Sequence, residues 1–375
     1  MLRNTSQTQS LKIYIMKRRL ILLFSVILIG QFLFAQKKLP IIKATSQMVD
    51  IRDGETFTKA AWKISPELKP DIYTTSNENK RVTFYTDIDS ISYKIKPNKT
   101  YSFIILLNNK DSAYTQIKYK PGFLKLLKNA KKYNFSDNRS INKFTYKSMD
   151  NPDLKSLRDN FKLDSIAGTG NEISKFINLL YWVHNTFSYD GSKEVPQFNG
   201  MADLMTKCLE NRSTLHCGAL TWVLNDCYSA MGYKSRQVVC LPKDSTDFEC
   251  HSIVTVYSNT LNKWLWIDPT NCAYVMNESG ELLSIAEVRD RLVNDKPLIL
   301  NPDANVNRKY SVVKENYLYN YMAKNLYAFQ CFSEPDGESI SNLLLPIEYK
   351  GIFPRTAENK PKCTNNPNVF WARPN

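Results

Sequence analysis

From about residue 45 to 118 apolar and polar residues alternate. Ile91, Tyr93 and Ile95 take turns with Ser92, Lys94 and Lys96, a period of two that puts one set on a buried face. Arg81 to Thr86, Tyr101 to Leu107 and Ser112 to Tyr119 are further runs of this kind, with Asp87-Ile88-Asp89 and Pro97-Asn98-Lys99 as turn signals between them. The pattern predicts a small antiparallel β domain over 45–119, a sandwich. It holds no His, no Cys and no phosphate-binding glycine pattern, so it is accessory to any chemistry.

Beyond 118 the period lengthens. Phe123, Leu124, Leu127 and Ala130 recur at helical spacing among Lys118, Lys120, Lys125, Lys128, Lys131 and Lys132, giving a basic amphipathic helix. With the polar stretch to about 160 it makes a helix-and-linker region, 120–160. Ile173, Phe176, Ile177, Leu180, Val183 and Phe187 share one face of a helix over 172–187, with His184 beside that face as a packing or surface residue. Ala202 to Glu210 is a shorter helix. Ser213-Thr214 is N-cap material, and Leu220, Val223, Leu224, Cys227 and Met231 define a helix over 217–231 that Gly232 closes. Strands are expected at about 235–241, 250–257 and 263–268, and a helix beyond 281. The regions are then a core over 161–300 and an extension, 301–375, rich in Asn, Pro and Tyr and packed on that core.

Composition changes the picture in two places. Hydrophobic residues at 43% and charged residues at 23% exclude a wholly disordered chain. The formal charge of +14 invites a nucleic-acid partner. However, Lys17-Arg18-Arg19 precedes an apolar run from Leu20 to Ala35, the pattern of a secretory signal over 1–35 with cleavage near Ala35 and a start at Met16. The run is shorter than the roughly 20 apolar residues of a spanning helix. Without Arg3, Lys12, Lys17, Arg18 and Arg19 the charge falls to +9, and no nucleic-acid motif accompanies it. The expectation is a secreted or periplasmic protein. Lys125, Lys128, Lys131 and Lys132 either meet an anionic surface such as a membrane or cell wall, or form a solvated helix face.

Three histidines and eight cysteines carry the candidate chemistry. Cys217 opens a helix, where unpaired amides and positive partial charge favour a thiolate. His251 begins one strand and Asp268 ends the next, with Ser258 to Leu261 as the turn between them. A turn centred between Asn259 and Thr260 sets Tyr257 opposite Asn262, Thr255 opposite Trp264, Ile253 opposite Trp266 and His251 opposite Asp268. Opposed side chains sit about 5 Å apart at Cβ on one face. The carboxylate then orients the imidazole and leaves its other nitrogen for the thiol. This is the arrangement for covalent acyl transfer at an amide. The Cys217 N–H is the first oxyanion donor to expect. A second is expected from the loop 188–200, with Gln197 and Asn199 as candidates. His216 is a poor base, since adjacent helical residues diverge by about 100°. No Cys-x-x-Cys or paired His spacing suggests zinc, and nothing in the sequence calls for a cofactor. Seven cysteines besides Cys217 leave at least one more thiol unpaired in a monomer, and no pairing is readable.

These residues resemble the transglutaminase-like cysteine enzymes of papain-like fold. The resemblance covers about 172 to 275. It runs through Tyr181-Trp182-Val183-His184-Asn185 with Tyr189-Asp190, Cys217-Gly218-Ala219-Leu220, Gly232-Tyr233-Lys234-Ser235-Arg236, Cys250-His251-Ser252 and Trp264-Leu265-Trp266-Ile267-Asp268-Pro269-Thr270. One departure is Leu215-His216-Cys217, where the family often has Gly-x-Cys. The resemblance implies an α+β fold, in which the Cys-bearing helix packs on an antiparallel sheet behind the β domain. It also implies a triad of Cys217, His251 and Asp268. Nothing marks an amine-donor tunnel or calcium sites, so hydrolysis of a protein, peptide or wall-peptide amide is expected ahead of cross-linking. The alternative is a non-catalytic protein- or glycan-binding module that keeps the fold.

Overall fold

The computed structural model describes residues 38–130, 132–333, 340–349 and 361–374. The expected leader and Lys131 lie outside the described residues. No helix among the described residues is long and apolar enough to cross a membrane. The chain divides into two compact units, up to Pro121 and from Gly122.

The first unit has eight strands: β1 (Ile41–Ala44), β2 (Met48–Asp53), β3 (Thr56–Lys63), β4 (Asp71–Thr75), β5 (Arg81–Tyr85), β6 (Ser90–Lys94), β7 (Tyr101–Leu107) and β8 (Asp111–Tyr119). They form two four-stranded sheets, ordered β1-β7-β8-β4 and β3-β2-β5-β6. Val49, Ile51 and Phe84 of one sheet and Phe103, Ile105 and Ile117 of the other share one core, which makes a sandwich. It is not wholly antiparallel, because β1 runs parallel to β7 and β4 to β8. Only a tight hairpin forces antiparallel pairing. Residues 108–110 supply one for β7 and β8, whereas the parallel pairs join strands far apart in the chain.

The second unit opens with α1 (Phe123–Lys128), α2 (Pro152–Asn160) and α3 (Leu163–Ala167). The basic helix is therefore much shorter than expected. Pro121-Gly122 separates it from β8, and it ends at Asn129. Lys118 belongs to β8, Lys132 lies past the helix end, and Lys128 pairs with Asp295. Leu127 is buried in the unit's core. The polar stretch also hides α2, in which two apolar residues, Leu154 and Leu157, suffice to anchor a helix. Asn151 accepts from the Asp153 and Leu154 amides, and Pro152 occupies the first turn.

Then follow α4 (Glu172–Thr186), α5 (Met201–Asn211), α6 (Cys217–Ala230), β9 (Ser235–Leu241), β10 (His251–Ser258), β11 (Lys263–Ile267) and α7 (Ile285–Val293). The tail adds β12 (Ala328–Ser333), β13 (Ile340–Leu344) and β14 (Lys362–Thr364). One sheet runs β11-β10-β9-β12-β13-β14, antiparallel except for β13 and β14. The residues expected as a packed-on extension thus complete the central sheet, because β12 pairs with the free edge of β9. Leu220, Val223, Leu224 and Cys227 of α6 bury against α4 and against Val254 and Val256 of β10. That packing holds the start of α6 beside the start of β10.

The β10–β11 hairpin departs from the expected register. Tyr257 faces Trp264, Thr255 faces Trp266 and Val254 faces Ile267, a shift of two residues. The turn is four residues long, after the Ser258–Lys263 pair, with Asn262 left-handed at φ 52°. Glu172 at the start of α4 selects this longer turn. Its carboxylate accepts from Ser258 Oγ (2.6 Å) and from the Asn259 and Thr260 amides (both 3.0 Å). A two-residue shift keeps every side chain on its face, since the strand period is two.

Candidate active site

Cys217 is the first residue of α6. The preceding residue, His216, is the N-cap, and its Nδ1 accepts from the Ala219 amide at 3.2 Å. Ser213 and Thr214 do not cap the helix, because the imidazole supplies the acceptor. That bond also spends the His216 lone pair, so the ring serves structure and not proton transfer. The approach to Cys217 is fixed by a short parallel bridge: Leu215 N donates to Ser188 O (2.9 Å) and Asp190 N to Leu215 O (3.0 Å).

His251 is 2% exposed and Asp268 is wholly buried. His251 Nε2 lies 2.7 Å from Asp268 Oδ2, and the ring stands close enough to Cys217 to favour its thiolate. With Nε2 committed to the carboxylate, Nδ1 is the nitrogen toward sulfur. The expected contact of His251 with Asp268 forms despite the register shift. β11 ends at Ile267, and Asp268 turns out of the strand to exchange two backbone hydrogen bonds with Ala273. That bend brings the carboxylate diagonally to the ring.

Asp268 carries no solvent contact, so donors must hold its charge. Oδ1 accepts from the Thr270 and Asn271 amides (2.9 and 3.2 Å). Oδ2 accepts from His251, from Asn271 Nδ2 (2.8 Å) and from the Tyr317 hydroxyl (2.6 Å). Burial alone would push the carboxyl up, but the His251 charge and these donors hold it below the usual carboxylate range. For His251, burial favours the neutral ring. The Asp268 charge and hydrogen bond and the Cys217 contact outweigh it and lift the imidazolium to about 10. Burial likewise opposes ionisation of Cys217. The hydrogen bond and charge of His251, with the Ser252 amide, bring the thiol below its ordinary range. The arrangement favours a thiolate–imidazolium pair over a neutral thiol and imidazole. Six of the other thiols differ: burial raises Cys208, Cys227, Cys240, Cys272, Cys331 and Cys363. None of the eight cysteines is in a disulfide.

No family model and no curated protein matches the chain. Solved structures align with it loosely. A protein from Cytophaga hutchinsonii described as a candidate cysteine protease gives a TM-score of 0.25 at 15% identity, over 35% of this chain and 40% of that one. A TGase gives 0.24 at 17%, over 32% and 31%. The transglutaminase of red sea bream gives 0.25 at 8%, over 83% and 75%. The chain thus spans less than half the length of the first two. Overlaps this loose carry no argument about function, which falls to the chemistry of the site.

Gln197 and Asn199 make no hydrogen bond to Cys217, His251 or Asp268 among the described residues. Both are exposed, and their backbones are tied to α5: Gln197 O accepts from Lys207 Nζ and Asn199 N donates to Asp203 Oδ2. His184 is buried, not at the surface. Its Nδ1 donates to Pro269 O at 2.9 Å, which braces the turn that feeds amides to Asp268.

The residues that sequence reasoning missed lie in the tail. Tyr317 and Tyr321 stand four apart in a π-helical turn, Tyr317–Met322, a geometry frequent at functional sites. Tyr317 bonds Asp268, and the Tyr321 ring meets His251 edge-on at 5.3 Å between centroids. The only signal in the sequence was tyrosine richness, which does not say where the turn packs. Tyr317→Phe should lower turnover roughly tenfold by removing a hydrogen bond to a buried charge, with the fold kept. Turnover assays beside a thermal melt check this, and unchanged turnover would show that Asp268 is held without it.

Proposed function

We propose that this chain is an exported transglutaminase-like cysteine enzyme acting on amide bonds, a hydrolase of the peptidase or amidase kind ahead of a cross-linker. The observation that carries it is a thiol at a helix start beside a buried imidazole that a five-donor carboxylate holds. The Cys217 thiolate adds to the amide carbon, forming the S–C bond and moving the carbonyl π pair onto oxygen. His251 Nδ1–H protonates the departing nitrogen as the C–N bond breaks, leaving a thioester. Water then adds to the thioester, giving its proton to Nδ1, and the thiolate departs. A protein, peptide or wall-peptide substrate fits this chemistry.

Iodoacetamide tests the nucleophile. Between pH 6 and 7 Cys217 should be alkylated far faster than the other seven thiols, and His251→Ala should slow it sharply. Equal labelling of all accessible thiols would favour the binding-module reading. Mass spectrometry of amide-bearing peptides and wall fragments, with and without added primary amine, separates the acceptors. Hydrolysis adds water to the acyl group, and cross-linking adds the amine.

A further inference from the structure

We infer that the Tyr189 hydroxyl is the second oxyanion donor, working beside the Cys217 amide on the oxygen of the tetrahedral intermediate. This rests on the reading of Cys217 as the nucleophile, and it assigns a donor that neither Gln197 nor Asn199 supplies.

The placement comes from backbone geometry. Tyr189 forms the parallel bridge with Leu215, two residues before Cys217. Bridged residues share a face, so Tyr189 lies beside Leu215 on the segment that leads into α6, close enough for the Cys217 charge to act on its phenol. Its backbone is held rigidly. Asn307 Oδ1 accepts from Tyr189 N at 2.6 Å, and Asn307 Nδ2 donates to Tyr189 O at 2.9 Å. One asparagine thus mimics a neighbouring strand. The ring is half-buried against the core that α6 also joins. Among the described residues its hydroxyl spends no hydrogen bond on the protein, which leaves a donor open. Burial, and then the charges of Cys217 and Asp268, raise the phenol's pKa. The group therefore keeps its proton beside a thiolate.

The first donor is the Cys217 N–H, one of the first-turn amides that no helical carbonyl reaches. In the addition step the oxygen gains the π pair and no proton, so what it needs is two fixed N–H or O–H dipoles. Gly191 makes room for one of them. A Cβ there would stand 2.6 Å from the Tyr189 hydroxyl oxygen, so any larger residue displaces the phenol's tip. Because the displaced atom ends a side chain, the fold can absorb the change and the donor position cannot.

The test sets two reactions of Cys217 side by side. p-Nitrophenyl acetate acylates it through an oxyanion, and iodoacetamide alkylates it by displacement at a saturated carbon without one. Tyr189→Phe should slow acylation about 100- to 1,000-fold and leave alkylation within about threefold. Gly191→Ala should slow acylation in the same sense with an unchanged melt. Acylation at the wild-type rate in Tyr189→Phe overturns the donor role, as does an equal loss in both reactions, which marks a merely structural residue. Wild-type protein whose Cys217 is inert to both reagents overturns the nucleophile itself, a separate failure.

Discussion

Cys217→Ala should abolish turnover, a loss on the order of 10⁶-fold, the scale seen when a covalent nucleophile is removed. The size follows from the mechanism. Without sulfur there is no thioester, and the difficult attack of water on an amide must proceed in one step. The fold should survive. Cys217 is only half-buried and makes no disulfide, and α6 is anchored by Leu220, Val223 and Leu224. The variant should melt close to the parent and still bind substrate, which makes it a trap for identifying partners. Activity assays with calorimetry decide the matter, and residual turnover at a tenth of the parent rate would move the chemistry elsewhere.

Asp268→Asn should cost about 10⁴-fold in turnover, and it should also change the pH dependence. In the parent His251 is held protonated up to about 10, against burial. With the carboxylate gone, burial wins and the ring becomes neutral at pH 7. Cys217 then loses its counter-charge and its thiol climbs, so the alkylation curve moves to higher pH. The sign for stability follows from the same pair. A histidine whose folded pKa lies above the unfolded value near 6.5 stabilises fully below that value and loses the contribution as pH rises toward about 10. The gap in melting temperature between parent and variant should therefore narrow from neutral to alkaline pH. Asparagine also turns an NH₂ group on donors that had bonded oxygen, and each orphaned donor costs roughly 1–3 kcal/mol. Alkylation rates from pH 5 to 10 check the shift, and superimposable curves would sink the assignment of Asp268 to His251.

Cys217, His251 and Asp268, with the elements that carry them, were legible from local spacing alone. Cys217 reads as a helix start because apolar residues recur behind it at i+3 and i+4. His251 and Asp268 read as strand ends from β-rich runs flanking a polar turn. Those signals are local, and local spacing survives in any chain order. Parity survived too. The register moved by two, not one, so His251 and Asp268 stayed on one face, and a bend at the end of β11 closed the remaining distance. What the sequence left undecided was every contact between residues far apart in the chain. Glu172 sets the hairpin turn from 86 positions away, and Tyr317 reaches Asp268 across 49. The tail supplies β12 to β14, the tyrosine pair and the Asn307 clamp. Single asparagines and tyrosines have no periodicity, so only the packed chain shows which backbone or charge they serve. The ionisation, too, depends on contacts between distant segments. The charges persist against burial because five donors replace water at Asp268, and its carboxylate in turn holds the His251 imidazolium.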